Sequence, residues 1–163
     1  MNYVVLRYFN ACGASIDGIM GEHHDPETHI IPVAINALLN NTEFAIYGTD
    51  YKTQDGTCVR DYIHVLDLVN AHLLSLEKIM VNGGNFTFNV GTGVGYSNLE
   101  IVKTIEEVTA RKLRIEEKDR RPGDADALVA DVSGIKEKLG FNPQYSDIRT
   151  IIDSAWKWHS KSS

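Results

Sequence analysis

The run Phe86-Thr87-Phe88-Asn89-Val90 passes through a glycine turn, Gly91 to Tyr96, directly into Ser97-Asn98-Leu99-Glu100. The last four residues read as a capping box, in which a Ser hydroxyl and a Glu carboxylate each satisfy a backbone N–H left over at a helix start. A helix is therefore expected from there to about Ala110. A strand that turns straight into a capped helix lays that helix over a sheet, and the rest of the chain repeats the alternation, so the expected class is α/β.

Tyr3 to Phe9 is β-branched and aromatic and reads as a strand that needs partners from elsewhere. Ala11 to Thr28 is polar, contains Pro26 and is too poor in apolar residues for core, which suits a long loop kept for a ligand or an interface. Ile30 to Leu39 places Ile30, Ile31, Ala34, Ile35, Leu38 and Leu39 at helical intervals, with Pro32 tolerated in the first turn. Phe44 to Tyr47 is a short strand, Gly48 to Thr57 a polar turn, and Val59 to Val65 an extended segment. From Leu66 to Met80 the set Leu66, Val69, Leu73, Leu76 and Met80 follows the 3.6-residue period, with Asp67 favouring the dipole of the first turn. Leu113 to Glu116 is a further strand, Val132 to Leu139 a helix ended by Gly140, and Ile148 to Trp158 a last helix with Ile148, Ile151, Ile152, Ala155 and Trp156 inward.

Composition enters mainly by exclusion. With 163 residues and 43% hydrophobic content the chain can build a core without disulfide or metal staples. Cys12 and Cys58 make neither a disulfide framework nor a four-cysteine zinc site, and suit a reducing compartment. A net charge of −6 argues against nucleic acid as a partner. No apolar run approaches the roughly 20 residues of a membrane helix, and the start Met1-Asn2-Tyr3 lacks a secretory pattern, so no membrane contact and a cytoplasmic location are the default expectations. Arg111 to Arg121 is a small basic island with six basic against three acidic residues, the first place to look for an anionic ligand.

Several patterns invite chemistry. Gly91-Thr92-Gly93-Val94-Gly95, between strand and helix, resembles part of a pyrophosphate-cradling G-x-G-x-x-G, but Tyr96 stands where the third Gly belongs; a tight turn without ligand is the expected reading. His23-His24-Asp25-Pro26-Glu27-Thr28-His29 gathers imidazoles and carboxylates of a plausible zinc set, yet without the H-E-x-x-H order it reads as a solvated loop, and no metal site is expected. There is no G-x-S-x-G elbow and no catalytic setting for a cysteine. Positions four after the seven tyrosines are Arg7, Cys12, Tyr51, Asp55, Leu66, Glu100 and Arg149, so no Tyr-x-x-x-Lys exists in the chain and no catalytic residue is assigned. Arg120-Arg121-Pro122-Gly123-Asp124 could chelate phosphate through guanidinium and accept from a ribose through carboxylate, although such a pair is also common surface charge.

Taken together, Leu6-Arg7-Tyr8-Phe9-Asn10, Gly48-Thr49-Asp50-Tyr51, Asp55-Gly56-Thr57-Cys58-Val59-Arg60-Asp61-Tyr62-Ile63-His64-Val65, Asn89-Val90-Gly91-Thr92-Gly93 and Arg120 to Asp124 closely resemble the UDP-glucose 4-epimerase family of extended short-chain dehydrogenases. The resemblance covers essentially the whole chain and implies its C-terminal, substrate-binding part. It implies that Tyr3 to Phe9 and Phe86 to Val90 are late strands of an NAD(P)-binding Rossmann sheet whose N-terminal portion, with the Gly-rich turn and Tyr-x-x-x-Lys, is absent from this chain.

By the same resemblance Phe9 is the aromatic beside the nicotinamide of NAD, and Asn10 hydrogen-bonds the substrate pyrophosphate or sugar. His29 and Ile30 fall where many members have Asn-Leu at the pyrophosphate, with contact through the Ile30 backbone. Ala45, Ile46 and Tyr47 resemble the uracil-binding strand, Tyr47 supplying the aromatic packed on the base. Arg60 and Arg121 resemble the two diphosphate arginines, and Asp124 the acceptor for ribose hydroxyls. The implied reaction is interconversion of UDP-glucose and UDP-galactose in galactose metabolism, by hydride removal and return at C4 through bound NAD, with this chain supplying the UDP-sugar site and inactive alone. Leu128 stands where members vary between Tyr and smaller residues, leaving open a UDP-N-acetylglucosamine or UDP-arabinose 4-epimerase. A non-catalytic nucleotide-sugar-binding or dimerisation fragment also remains open, and a homodimer is implied for the full-length enzyme.

Overall fold

In the computed structural model, which describes residues 1–161, the elements follow as β1 (Tyr3–Tyr8), β2 (Asn10–Cys12), α1 (Ile30–Asn40), β3 (Glu43–Tyr47), β4 (Val59–His64), α2 (Val65–Asn82), β5 (Asn85–Val90), β6 (Gly95–Ser97), α3 (Asn98–Thr109), β7 (Arg114–Lys118), β8 (Ala127–Leu128), α4 (Ser133–Leu139) and α5 (Ile148–His159). The class is α/β. The capping box is formed: Ser97 Oγ accepts from Glu100 N at 3.1 Å, and the Glu100 carboxylate accepts from Ser97 N at 2.7 Å. No helix of the described residues is long and apolar enough to cross a membrane.

The strands form three small sheets. β1 and β5 pair in parallel from Tyr3 opposite Asn85 to Tyr8 opposite Val90. β3 and β7 pair in parallel from Glu43 opposite Arg114 to Tyr47 opposite Lys118. β4 joins the third sheet, taking β2 in parallel along Tyr62 to His64, and β6 antiparallel and β8 parallel along its first residues.

Two apolar clusters fill the space between sheets and helices. The first gathers Ile31, Ala34 and Ile35 of α1, Phe44 and Ile46 of β3, Ile101 and Ile105 of α3, and Ile151 and Ile152 of α5. The i, i+3, i+4 spacing that predicts each helix is the spacing that buries it, and each fully buried isoleucine contributes about 1.5–3 kcal/mol. The second cluster joins Ile63, Ala71, Phe88, Val90, Ala130, Ile135 and Phe141.

Three expectations need correction. The segment after Phe9 is not loop throughout: Asn10–Cys12 pairs with β4, and Cys12, Gly13 and Ala14 are buried. Small residues escaped the apolar count, yet smallness is what the place requires, since a Cβ on Gly13 (φ +83°) would meet the His64 ring at 2.7 Å. The turn before the capping box contains a three-residue strand, β6, and a two-residue strand, β8, lies beyond Pro122. Such pieces are too short for a periodicity signal and are created by pairing with β4. Finally, the periodic apolar stripe of α2 faces away from both clusters: Val69, Leu73, Leu76 and Met80 are each more than half exposed. The packed face instead carries Asp67, Ala71 and Ser75, whose small side chains let α2 lie close over the strands.

Polar burial ties the pieces together. Asp67 accepts from Gln144 N and Tyr145 N at 2.8 Å each and from Ser146 Oγ at 2.5 Å. His64, fully buried, accepts from Leu66 N through Nδ1 at 3.1 Å and lies 3.1 Å from Ser154 Oγ through Nε2. Ser154 Oγ donates to Ile151 O and accepts from Ala14 N, so a neutral imidazole with its proton on Nε2 satisfies every partner.

Candidate functional site

β2, β3, β4 and the start of α1 enclose a cavity of about 600 Å³, closed on one side by the segment 121–124. Of the residues singled out from sequence, Asn10, His29, Ile30, Ala45, Tyr47, Arg60, Arg121 and Asp124 line it. They come from five separate stretches of chain, and only the fold brings them together.

Three other residues do not line this cavity. Ile46 is 2% exposed and belongs to the first core cluster, because alternation along β3 sends its side chain inward while Ala45 and Tyr47 face the cavity. Phe9 packs on the second cluster, its N–H donating to Val90 O at 3.0 Å. Leu128 is half exposed on β8, in register with Arg60.

The cationic side chains differ in how tightly they are held. Arg60 donates to Val59 O at 2.8 Å, to Ala125 O at 2.9 Å and to Asp124 Oδ1 at 3.3 Å, and its side chain is only 16% exposed. Two residues predicted to serve different parts of one ligand thus fix each other first. Arg121 stacks on Tyr47, its guanidinium carbon 3.9 Å from the ring centroid. Among the described residues no carboxylate lies within ion-pair distance of Arg121. An anion entering the cavity meets its charge uncompensated.

The neighbouring Arg120 behaves differently, stacking on Tyr51 at 4.1 Å and pairing with Asp50 and Asp126. Elsewhere in the basic island, Lys112 pairs with Glu106, Arg114 with Glu43 and Lys118 with Glu116. The island dissolves into surface ion pairs, and Arg121 is its residue at the cavity.

Asn10 lines the cavity, with Nδ2 donating to Asp61 O at 2.7 Å. Tyr62 also lines the cavity, and burial, the largest cause, pushes its phenol far above the usual range, so it stays protonated and cannot act as a base. Burial likewise raises the thiols of Cys12 and Cys58, which removes both as thiolate nucleophiles.

The glycine turn after β5 already holds an anion, and it is internal. Asp61, fully buried, accepts from Thr92 N at 2.9 Å, Thr92 Oγ1 at 2.7 Å, Gly93 N at 2.9 Å and Ala130 N at 3.2 Å. A Cβ on Gly91 would meet Asp61 Oδ2 at 2.6 Å, so the glycine is required by this carboxylate. The turn's donors being engaged, the residues present do not form a pyrophosphate cradle for a dinucleotide.

Sequence reasoning assigned no role to Asp61 or Tyr62. Their signal was present in the Arg60-Asp61-Tyr62 stretch, where a lone acidic residue inside an otherwise buried strand demands a set of donors.

Comparison with known proteins gives a consistent picture. The family model described as GDP-mannose 4,6 dehydratase matches residues 1–153. The UDP-glucose 4-epimerase of Rhizobium leguminosarum bv. trifolii is 50% identical over 161 residues, covering 98% of this chain and 49% of that protein. A UDP-glucose 4-epimerase from Brucella ovis, solved in complex with NAD, superposes with a TM-score of 0.91 at 52% identity, over 96% of this chain and 48% of that one. The Bifidobacterium longum enzyme, solved with NAD+ and UDP, gives a TM-score of 0.90 at 38% identity, over 97% of this chain and 47% of its own. The chain therefore spans about half the length of the relatives it matches.

Proposed function

We propose that this chain, which belongs to the GDP-mannose 4,6 dehydratase family, is the sugar-nucleotide-holding part of a UDP-glucose 4-epimerase that interconverts UDP-glucose and UDP-galactose. The observation that carries the reading is the meeting of Tyr47, Arg60, Arg121 and Asp124 around one cavity. These are the side-chain types a uridine diphosphate requires: an aromatic face for the base, two guanidinium groups for the diphosphate and a carboxylate for the ribose hydroxyls.

On this reading the chain is the C-terminal portion, and NAD binds in the remainder of a protein about twice as long. Two features support the assignment: the sequence contains neither G-x-x-G-x-x-G nor Tyr-x-x-x-Lys, and its one glycine-rich turn is taken by Asp61. Phe9 and the β1–β5 pair belong to the boundary with that remainder. The unpaired sides of β1 and β5 and the exposed stripe of α2 are then surfaces for it to cover.

Within the cavity Arg60 is pre-ordered by Asp124 and the 125 carbonyl, so it pays little side-chain entropy on meeting phosphate. Ala45 and Tyr47 offer the free side of β3 to the edge of the base. His29 and Ile30, where α1 begins, stand at the diphosphate, which a helix N-terminus favours. Leu128, beside Arg60 in the β8–β4 register and outside the cavity wall, is assigned to the sugar end beyond it, where side-chain size would bear on the choice between UDP-glucose and N-acetylated sugars.

The test is calorimetric titration of UDP into the chain, verified as folded by circular dichroism, with epimerase activity measured in parallel in the presence of NAD. Weak UDP binding without turnover is expected. Turnover by the chain alone overturns the placement of the NAD portion elsewhere, and absence of UDP heat up to millimolar ligand overturns the site. Competing-substrate rates on the whole protein separate UDP-glucose from UDP-N-acetylglucosamine.

A further inference from the structure

The loop that reads as merely solvated in sequence is folded inward at one point. Glu22, His24, Glu27 and His29 each turn one ligand atom toward a common centre, and these atoms all lie within 4.8 Å of one another. His24 Nδ1 stands 3.0 Å from Glu22 Oε1 and 3.9 Å from Glu27 Oε1. His29 Nδ1 hydrogen-bonds to the same Glu22 oxygen.

The burial is uneven in a telling way. The Glu22 and Glu27 side chains are only 16% and 12% exposed, whereas both imidazoles are about half exposed. Among the described residues neither carboxylate has a Lys or Arg within ion-pair distance. Two neighbouring carboxylates drawn out of water without a fixed cation carry a desolvation and repulsion cost that a bound cation removes.

The set is also held from behind. Glu27 Oε1 accepts from Thr28 N at 2.7 Å and from His29 N at 2.8 Å, which orients that carboxylate in the way outer-shell bonds orient metal ligands. Trp158 Nε1 donates to Glu22 O at 2.9 Å, and Gly21 lies so close over the Trp158 ring that a Cβ there would stand 2.3 Å from it. The loop is thereby pinned to α5 at the residue that starts the cluster.

We propose that Glu22, His24, Glu27 and His29 form a binding site for a divalent transition-metal cation of the zinc or cobalt type at the rim of the cavity. Two imidazole nitrogens and two carboxylate oxygens make a borderline donor set that suits these ions over magnesium or calcium. With metal–ligand bonds of about 2.0–2.2 Å, tetrahedral ligands stand roughly 3.3–3.6 Å apart. The observed separations bracket that spacing, and the exposed imidazoles close the remainder by small rotations. His29 and Glu27 also line the cavity, so the cation would sit where its outward position faces an entering ligand.

The experiment titrates the tag-free chain with Co2+ alone, follows the visible d–d absorption, and then adds Zn2+. One Co2+ per chain with the intense spectrum of a four- or five-coordinate ion, lost on adding Zn2+, is the expected result. Glu22→Gln and His24→Ala should each weaken Co2+ binding by more than the roughly 10- to 100-fold that loss of an outer-shell partner costs. His23→Ala, outside the four, should leave it unchanged. Glu22→Gln keeps the side-chain shape and His24 is largely exposed, so circular dichroism of both variants should match the parent chain. An octahedral aqua-ion spectrum throughout, undiminished binding in both variants, or equal weakening by His23→Ala overturns the proposal. No nucleotide is present, so failure here leaves the UDP reading standing on its own test.

Discussion

The Arg121 guanidinium lies 3.9 Å from the centre of the Tyr47 ring, across a gap of more than seventy residues in the chain. Each partner gives the other what the cavity needs: the ring holds the cation in place without neutralising it, and the cation keeps the ring at the wall. A cation–π contact contributes about 0.5–2 kcal/mol, less than a charge-assisted bond to phosphate, so the pair is poised to re-aim toward an anion.

Arg121→Ala should therefore weaken UDP binding by tenfold or more, since a hydrogen bond to a charged group is worth about 1.5–3 kcal/mol. Raised salt should weaken binding in the parent chain and less so in the variant. Calorimetry at two ionic strengths checks both; an unchanged affinity in the variant counts against Arg121 as a diphosphate ligand.

Asp61→Asn should destabilise the fold by about 2–4 kcal/mol, because an amide nitrogen would face donors that now converge on a buried carboxylate. Urea unfolding measures it. A loss under about 0.5 kcal/mol, the range of surface substitutions, would mean the glycine turn holds itself.

Tyr51→Phe runs the other way. The Tyr51 hydroxyl is buried with no hydrogen-bond partner among the described residues, and burial raises its pKa. Deleting it removes the desolvation cost and keeps the ring under Arg120, so the variant should match or exceed the parent's stability by up to about 1 kcal/mol. A thermal midpoint lowered by several degrees would reveal a partner for that oxygen.

The pH dependence has a defined sign. Burial lowers the His64 pKa from 6.5, partly offset by Asp67 and Asp147, and burial lowers that of His159 as well. The folded state prefers both rings neutral, so the unfolded chain binds more protons below that value. Their stabilising contribution is full above pH 6.5 and is lost as pH falls through the depressed folded values. Asp17 and Asp50, held low by bonds from Ser15 and Arg120, titrate below 3.8 and do not enter this window. Unfolding free energy should decline from pH 7 to about 5.5, with a shallower slope in His64→Asn. An identical slope would remove His64 from the account.

The stripe Val69, Leu73, Leu76 and Met80 predicts self-association of the chain in solution, helped by the open edges of the β1–β5 pair. Leu76→Lys with Met80→Lys should shift light scattering toward monomer without lowering the melting temperature, since neither side chain is buried. A parent chain that is monomeric at high concentration would show that these residues do not adhere.

Much of this was legible from the residues. Helix starts and stops followed from Pro32, Ser97, Glu100 and Gly140, because caps and breakers act locally. Eight of the residues singled out from sequence do meet at the cavity, but Phe9 and Leu128 lie outside it, and Ile46 was grouped with its neighbours although strand alternation turns its side chain inward. Illegible were the features made by pairing across the chain. β6 and β8 exist because β4 offers them an edge. The outward stripe of α2 has the same periodicity as an inward one; only Ala71 and Ser75, small residues on the opposite side, hinted at which face packs. The convergence of Glu22 with His29 depends on Trp158, more than a hundred residues away, gripping the loop.

His64 links the segment at Ala14 to α5 through Ser154, Asp61 gathers the turns at Thr92 and Ala130, and Asp67 fastens the stretch 144–146. All three sit within seven consecutive residues spanning β4 and the first turn of α2. The strands are divided among three sheets, and these tethers join the sheet of β4 to the turn that follows β5, while the β3–β7 pair is held by none of them. Amide protons of the β4 sheet and of the β1–β5 pair thereby share one deep opening event instead of exchanging sheet by sheet. Of the cavity walls, those contributed by β2 and β4 belong to this tethered part.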